Sequence, residues 1–428
     1  MILETAWLES PVHRLEVWTH HLPLPVLVGH LNYEVRAGRS FFEWSHQAIQ
    51  LGINLSPLKL PTGAGVWSSE QQPNLPLDYE GLPGLLNDAL PDGWGRYLMD
   101  KAMARRRIDP QYISPAARLA FIADRAWGAL SFRPAMEEEV EGEVSLVALS
   151  EEVEAAIEGM LDDVSNELLT AGSSPQGARP KLMLDLDAGM KQARTSSRTP
   201  SPGYASWLIK FAARDEPLDA PILEQACMEC AREAGIAVMD SSLLDINGQI
   251  AFATRRFDRA GPHPTFCHTL GGLMHFSHRQ IGLDYVNIAQ VMTRLGMSGA
   301  AFKQAYSRAV FNAVMSVRDD HAKNFAFILD GGQQWGLSPA YDLTYMQGPG
   351  GYHTLTFAGG DARDPTRSDL LRLADSYGIE APDASRIIDG MLPQAARFGV
   401  LAKQFGARST VVNPVVKRLG EIGKGLKR

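Results

Sequence analysis

The sequence predicts an α+β protein of two lobes, with a mixed sheet in the N-terminal lobe and a mainly helical C-terminal lobe. Short strand-like runs separated by Pro and Gly fill the first half of the chain. A hairpin pattern at Leu243 to Arg255 then leads into a part where apolar residues recur at helical spacing. The 428 residues, with 45% hydrophobic and 21% charged side chains, suit two or three packed units of ordinary globular composition.

By composition the chain divides into four segments, residues 1–135, 136–170, 171–259 and 260–428. The first mixes short strands and turns with a helix from about Trp94 to Arg107. The second is acidic and ends in one amphipathic helix around Glu151 to Leu168, which is typical of a connector. The third holds strands, the helix Ile222 to Ala234 and a polar stretch, Lys191 to Gly203, that we expect to be a loop. The fourth is mainly helical.

Composition also narrows the function classes. A net charge of −8 argues against a free-standing DNA-binding protein, and we interpret the basic residues near the C-terminus as a solvated end. No secretory signal and no apolar run of about eighteen residues is visible, so we expect a cytoplasmic protein with no membrane contact. The 3 cysteines suit a reducing compartment.

Cys227 and Cys230 form a CxxC motif, which can indicate zinc. A zinc site would also need Cys267 and either His263 or His268 to complete four ligands. Because the motif lies inside a helical pattern, small apolar residues on a helix face are the simpler interpretation. The zinc site stays open as an alternative.

The most informative motif is the run from Asp319 to Asn324, Asp-Asp-His-Ala-Lys-Asn, which is followed by Asp342. A helical pattern from Ala301 to Ser316 precedes it, and a hairpin pattern lies between Asn324 and Asp342. Phosphoryl transfer from ATP needs a carboxylate for the attacking hydroxyl and oxygen ligands for Mg²⁺. Asp319, Asn324 and Asp342 can fill these roles in that order. Solvated loop residues are the alternative interpretation.

A second pattern concerns a cation. Lys210 stands on the apolar strand Trp207 to Phe211, and the helix that follows begins with Glu224. A strand lysine paired with a helix glutamate is a usual way to hold a cation on the α- and β-phosphates of ATP. A solvent-facing strand lysine is the alternative.

These motifs, taken in order, resemble the HipA family, bacterial serine/threonine kinases that act as toxins in toxin–antitoxin pairs. The resemblance spans almost the whole chain and implies a bilobal, kinase-like fold with ATP and Mg²⁺ as cofactors. The motifs are Leu90-Pro91-Asp92-Gly93, Asp124 to Leu130, Gly177 to Lys181, Leu208-Ile209-Lys210, Arg256 to Arg259, Asp320 to Asn324 and Pro339 to Asp342.

The resemblance implies a role for each of several residues. It makes Asp319 the catalytic base, with Lys210 and Asn324 as further catalytic residues, and gives Mg²⁺ ligation to Asn324 and Asp342. It assigns nucleotide binding to a phosphate-covering loop (Gln176, Gly177, Ala178, Lys181), to Lys210, to a hinge (Arg256, Phe257, Asp258) and to His321 and Lys323. Successive amides in a turn that contains glycine also suit anions physically. Ser174 takes the position that is autophosphorylated in the family, and Arg179 stands where the family usually has glutamine.

The resemblance also implies partners. They are a HipB-like helix-turn-helix antitoxin, through which DNA would be contacted only indirectly, and a protein substrate, in the family usually an aminoacyl-tRNA synthetase. A small-molecule phosphotransferase would use the same acids and amide, but that group lacks a module like residues 1–135. A non-catalytic role, as the co-repressor partner of a DNA-binding antitoxin, stays open. A metal hydrolase built on Asp319, Asp320 and His321 would lack further ligands at suitable spacing.

Overall fold

A five-stranded antiparallel sheet forms the first part of the computed structural model, which describes residues 5–136, 141–174 and 177–427. The strand order is β4-β3-β2-β1-β5. Burial alternates along the strands, as expected where one face of a sheet covers a core: Leu15 and Val17 are buried while Glu16 between them is not. The strands are β1 (Val12–Thr19), β2 (Val26–Glu34), β3 (Arg39–Trp44), β4 (Val66–Ser68) and β5 (Leu130–Arg133).

Helices connect and cover this sheet. The longest begins one residue before the predicted Trp94, and the most buried begins at Pro115, where Ser114 caps it by accepting from the amide of Ala117. The helices of this part are α1 (Thr5–Leu8), α2 (His46–Gln50), α3 (Gly84–Asn87), α4 (Gly93–Arg105) and α5 (Pro115–Ile122).

A six-stranded antiparallel sheet follows, in the order β10-β11-β9-β7-β8-β6. The predicted hairpin is present as two strands joined at Asn247 and Gly248, both with positive φ. The strands are β6 (Glu143–Val144), β7 (Lys181–Asp187), β8 (Ala193–Thr195), β9 (Tyr204–Lys210), β10 (Ser241–Ile246) and β11 (Gln249–Arg255), and the helices are α6 (Leu146–Glu158), α7 (Asn166–Gly172) and α8 (Ala220–Glu233).

Two expectations for this part were wrong. The single helix predicted around Glu151 to Leu168 is two helices, because Gly159 ends α6 in the left-handed conformation and Ser165 caps the start of α7. The stretch predicted as a loop, Lys191 to Gly203, contains β8, which pairs with both β6 and β7. Its partners lie elsewhere in the chain, so polar composition alone could not reveal the strand.

The C-terminal part is mainly helical, with one small sheet in the order β12-β13-β14. The hairpin predicted between Asn324 and Asp342 is β13 and β14, and the helix predicted before Asp319 is α11. The strands are β12 (Phe266–Thr269), β13 (Ala326–Leu329) and β14 (Trp335–Leu337). The helices are α9 (Leu270–Met274), α10 (Tyr285–Arg294), α11 (Ala300–Met315), α12 (Arg367–Ser376), α13 (Ala381–Met391), α14 (Gln394–Gln404) and α15 (Ser409–Leu426).

Two hydrophobic cores meet at the six-stranded sheet. Along β11, Ala251 and Ala253 belong to the core shared with the first sheet, whereas Phe252 belongs to the core formed by α8 and the C-terminal helices. Successive side chains of a strand point to opposite faces, so this sheet separates the two cores. No helix among the described residues is long and apolar enough to cross a membrane.

Candidate active site

A cleft of about 720 Å³ lies where the six-stranded sheet meets the C-terminal helical part. Apart from Ser174 and Gln176, each predicted site residue lines it, although they come from distant parts of the chain. The lining includes Gly177, Ala178, Lys181, Lys210, Arg256, Phe257, Asp258, Asp319, His321, Lys323, Asn324 and Asp342. Gln176 lies outside the described residues, and Ser174 is buried beside the cleft, 1% exposed.

Lys210, at the end of β9, is the central cation of the cleft. Its Nζ lies 2.7 Å from Glu224 Oε1 and 2.6 Å from Asp342 Oδ1. Burial by itself lowers the pKa of Lys210, but the two carboxylates outweigh it and raise the pKa above its usual value. Burial likewise opposes ionisation of Asp342, yet Lys210 and Lys181 hold the pKa of that carboxyl well below its usual range. Both groups therefore stay charged at neutral pH.

The loop after α11 presents Asp319 and Asn324 to the cleft. Asn324 Nδ2 donates to the carbonyl of Asp319 at 2.6 Å, so the loop closes on itself and the amide oxygen of Asn324 remains an acceptor. His321 Nε2 lies 3.9 Å from Asp319 Oδ1. Burial raises the pKa of Asp319 and the carboxylate of Asp342 adds to this, against the opposing effect of His321. Asp319 is thus more basic than Asp342.

Asp320, next in sequence, does not line the cleft. It is 1% exposed and accepts from Tyr285 Oη at 2.7 Å, His353 Nδ1 at 2.9 Å and the amide of Thr354 at 2.7 Å. Its oxygens are occupied by these structural bonds. A metal site on Asp319, Asp320 and His321 together is therefore not formed.

The loop that begins at Gly177 contacts the N-terminal part of the chain. The Gly177 amide donates to Asp92 Oδ1, and Trp94 N donates to the carbonyl of Gly177 at 3.1 Å. The other oxygen of Asp92 lies 3.1 Å from Lys323 Nζ. Burial opposes ionisation of Asp92, but Lys323 and the Gly177 amide lower its pKa. One carboxylate therefore joins α4, this loop and the loop of Asp319.

Arg179 and Lys181 give the same loop its positive charge. Arg179 pairs with Glu216 at 2.6 Å and with Glu224 at 2.7 Å, so Glu224 bridges Arg179 and Lys210. Burial and the nearby ammonium of Lys210 lower the pKa of Lys181 to about 8. The cleft thus concentrates cations where a polyanion would lie.

Three aromatic rings also line the cleft. The Phe257 ring lies 6.1 Å from Trp127 and 5.8 Å from Tyr341, between centroids. The Asp258 carboxylate pairs with Arg256 at 2.7 Å. Burial opposes ionisation of Asp258, but Arg256 and Arg259 lower its pKa to about 2. A flat ring held between these side chains would gain stacking and apolar contact.

Sequence reasoning assigned no role to several lining residues. Asp92, Trp127 and Tyr341 line the cleft and lie inside the motifs on which the family resemblance rests. The motifs could have identified these residues, but no function was assigned to them. Nothing in the sequence singles out His278, which packs against His321 at 5.4 Å between ring centroids. Its place in the cleft follows from the tertiary fold alone.

The oxygen donors of the cleft fit Mg²⁺, whereas the cysteines of the CxxC motif do not form a zinc site. Asp342 and Asn324 offer one carboxylate and one amide oxygen, which suits Mg²⁺ because this ion usually takes one or two carboxylates and completes its shell with water and phosphate. The CxxC pair is unsuited to zinc, since Cys227 and Cys230 are fully buried in a core and His268 bonds Asp88 and Ser56 instead. Within the described ranges no group of three or more His, Cys, Asp or Glu is placed to hold a metal.

Comparison with known proteins gives a consistent result. Residues 173–397 match the model of the HipA-like C-terminal domain, and residues 15–133 match that of the HipA N-terminal domain. The structure is similar to HipA of Shewanella oneidensis MR-1, solved with HipB and operator DNA, at a TM-score of 0.68 and 18% identity over 96% of this chain and 97% of that one. The similarity to the kinase CtkA of Helicobacter pylori is weaker, at a TM-score of 0.34 and 12% identity over 52% of this chain and 88% of that one.

Proposed function

The chain belongs to the HipA family, and we propose that it is an ATP- and Mg²⁺-dependent serine/threonine protein kinase that acts as the toxin of a toxin–antitoxin pair. The observation that carries the proposal is the meeting of Lys210, Asp319, Asn324 and Asp342 in one cleft. These are the cation, base and oxygen ligands that phosphoryl transfer requires.

The geometry supports a division of labour within the cleft. The ring cluster of Trp127, Phe257 and Tyr341 would hold the adenine, and Lys210 with Lys181 would hold the phosphates. Asn324 and Asp342 would hold Mg²⁺, which when bound neutralises charge on the phosphates. If the Asp342 carboxylate moved from Lys210 to bind Mg²⁺, Lys210 would keep its ion pair with Glu224, so its buried charge would still have a partner.

Asp319 would accept the proton of the attacking hydroxyl. Its pKa is raised by burial and by neighbouring carboxylates, which makes it a better base than an ordinary aspartate. The hydroxyl belongs, in this proposal, to a serine or threonine of a protein such as an aminoacyl-tRNA synthetase. A HipB-like antitoxin is the proposed partner, since the similar Shewanella HipA was solved in complex with HipB and operator DNA.

Ser174 is proposed as an autophosphorylation site. The side chain is 1% exposed and does not line the cleft, so its phosphorylation would require the loop to leave its present position. A phosphoserine carries nearly two negative charges and could not stay buried without cations beside it. Autophosphorylation would therefore go together with a rearranged loop.

The test is incubation with Mg²⁺-ATP and a mixture of purified aminoacyl-tRNA synthetases, with transferred phosphate mapped by mass spectrometry. We expect label on a serine or threonine of one protein and on Ser174, and no label from Asp342→Asn. The matched control is Asp240→Asn, an exposed acid outside the cleft. Equal transfer by Asp342→Asn would overturn the assignment, and label on a substrate without label on Ser174 would remove only the autophosphorylation.

A further inference from the structure

The segment 346–364, between Asp342 and α12, contains almost no regular structure yet is tightly bound to the loop of Asp319. Arg318, directly before Asp319, is 4% exposed. Its guanidinium donates to three main-chain carbonyls of the segment: Gln347 at 3.3 Å, Arg363 at 2.7 Å and Gly351. One side chain thus fixes both ends of the segment.

A carboxylate completes this arrangement. Arg318 Nη2 lies 3.0 Å from Asp364 Oδ1, and Arg418 of α15 donates to the same oxygen. Asp364 is 44% exposed at its side chain, whereas that of Arg318 is 5% exposed. A partly exposed carboxylate therefore neutralises a buried guanidinium. Arg418 of α15 forms a second ion pair with the same carboxylate.

The residue on the other side of Asp319 holds the middle of the segment. Asp320 accepts from His353 Nδ1 at 2.9 Å and from the amide of Thr354 at 2.7 Å, and Thr354 Oγ1 donates to the carbonyl of Arg318 at 3.2 Å. Both sequence neighbours of Asp319 therefore form hydrogen bonds to the segment. Disorder in the segment would displace them and, with them, Asp319.

In many kinases the segment after the metal-binding acid is ordered only when phosphorylation supplies an anion for an arginine. We propose that Asp364 is a built-in anion of this kind, so that Arg318 and Asp364 form a positioning pair that keeps segment 346–364 ordered, and Asp319 aligned for a protein acceptor, without phosphorylation of the segment. This inference rests on the proposed kinase activity.

The experiment compares the wild-type chain with Asp364→Asn, which removes the charge and keeps the shape. Asp364→Glu is the conservative rescue. The matched control is Asp389→Asn, which breaks a surface pair with Arg367, 2.7 Å long, between α12 and α13. Hydrogen exchange of segment 346–364, ATP affinity by calorimetry and kcat and KM for a protein acceptor are measured on each variant.

We expect Asp364→Asn to exchange faster in segment 346–364 by about tenfold or more, with kcat/KM for the acceptor lowered about tenfold and ATP affinity unchanged. Asp364→Glu should restore both values, and Asp389→Asn should leave both unchanged. Unchanged exchange in Asp364→Asn would overturn the proposal, as would faster exchange with undiminished turnover. Exchange does not depend on catalysis, so a wild-type chain with no kinase activity would fail the proposed function separately.

Discussion

At the scale of single residues, the charges of the cleft are arranged in alternation. Glu224 lies between Lys210 and Arg179, and Lys210 lies between Glu224 and Asp342. A buried lysine without partners tends to lose its proton, and a buried carboxylate tends to gain one. Because Lys210 and Asp342 each have opposite neighbours, the pKa of Lys210 is raised, that of Asp342 is lowered, and both stay ionised without a bound nucleotide. The cleft is therefore electrostatically prepared before its ligand arrives.

Asp319→Asn should lower kcat by about 10²-fold or more while ATP affinity stays nearly unchanged, because Asp319 in the proposed function acts on the acceptor hydroxyl and not on the nucleotide. The base works only when ionised, and the pKa of Asp319 is raised by burial. Wild-type kcat should therefore fall on the acid side at a higher pH than an ordinary aspartate would give. A kcat–pH profile and calorimetry test this, and a large loss of ATP affinity with normal turnover would reverse the assigned role.

Lys181 should make nucleotide binding sensitive to alkaline pH. Burial and the charge of Lys210 lower the pKa of Lys181 to about 8. Above this pH the free protein loses the ammonium that would meet phosphate, so ATP affinity should fall by up to about tenfold per pH unit. Calorimetry between about pH 7.5 and 9.5 measures it.

The matched variant is Lys181→Arg, whose guanidinium stays charged throughout this range. Its ATP affinity should be flat with pH. A wild-type affinity that is equally flat would mean that Lys181 carries no charge-dependent contact to the nucleotide.

At the scale of elements, the start of α4 packs against the loop that begins at Gly177. Gly93 has φ 41°, and a Cβ added there would lie 2.5 Å from Ala178 Cα. Only glycine accepts both the conformation and the close approach. The N-terminal part of the chain therefore shapes the cleft directly, through Asp92 and Gly93.

Gly93→Ala should push the loop away from α4. We expect ATP affinity to fall by about tenfold and the free energy of unfolding to fall by about 1–3 kcal/mol. Gly159→Ala is the matched control, because Gly159 also has positive φ, 77°, but no atom within 4 Å of its added Cβ. Gly159→Ala should lower only the free energy of unfolding and leave ATP affinity unchanged. Normal ATP affinity in Gly93→Ala would show that the loop does not depend on this contact.

At the scale of the whole molecule, buried polar contacts join the N-terminal and C-terminal parts. Asp88, after α3, accepts from His268 Nδ1 at 2.5 Å, from Thr269 N at 2.7 Å and from Thr269 Oγ1 at 2.8 Å. Tyr79 Oη also donates to the carbonyl of Gly271 at 2.8 Å. These contacts pack the N-terminal part of the chain against β12 and α9 of the C-terminal part.

Asp88→Ala should lower the free energy of unfolding by about 3–5 kcal/mol, since it leaves buried donors without their acceptor. Burial opposes ionisation of Asp88, but His268 and the Thr269 amide lower its pKa. The stabilisation is therefore present above the unfolded-state pKa of aspartate and is lost as pH falls through the lower folded-state value. Denaturant unfolding at neutral and acidic pH measures both, and a wild-type unfolding energy in Asp88→Ala would refute the role.

The sequence by itself determined the parts of the site that are local in the chain. The spacing of Asp319 and Asn324, the hairpin before Asp342 and the strand that carries Lys210 each depend on a few neighbouring residues, and the structure has these elements close to their predicted bounds. Hydrophobic periodicity and turn residues act over such short ranges, so these elements could be predicted from the sequence alone.

Only the tertiary structure decided the contacts between distant residues. Asp92 meets Lys323 across 231 positions, and Arg318 meets Asp364 across 46. The strand β8 also escaped prediction, because its pairing partners β6 and β7 lie elsewhere in the chain. The split between α6 and α7 is a different case, since the residues that cap the two helices, Gly159 and Ser165, are local signals that composition masked. Contacts between distant residues follow from how sheets and helices pack around two cores, and no local pattern of side chains encodes which distant residue will be the partner.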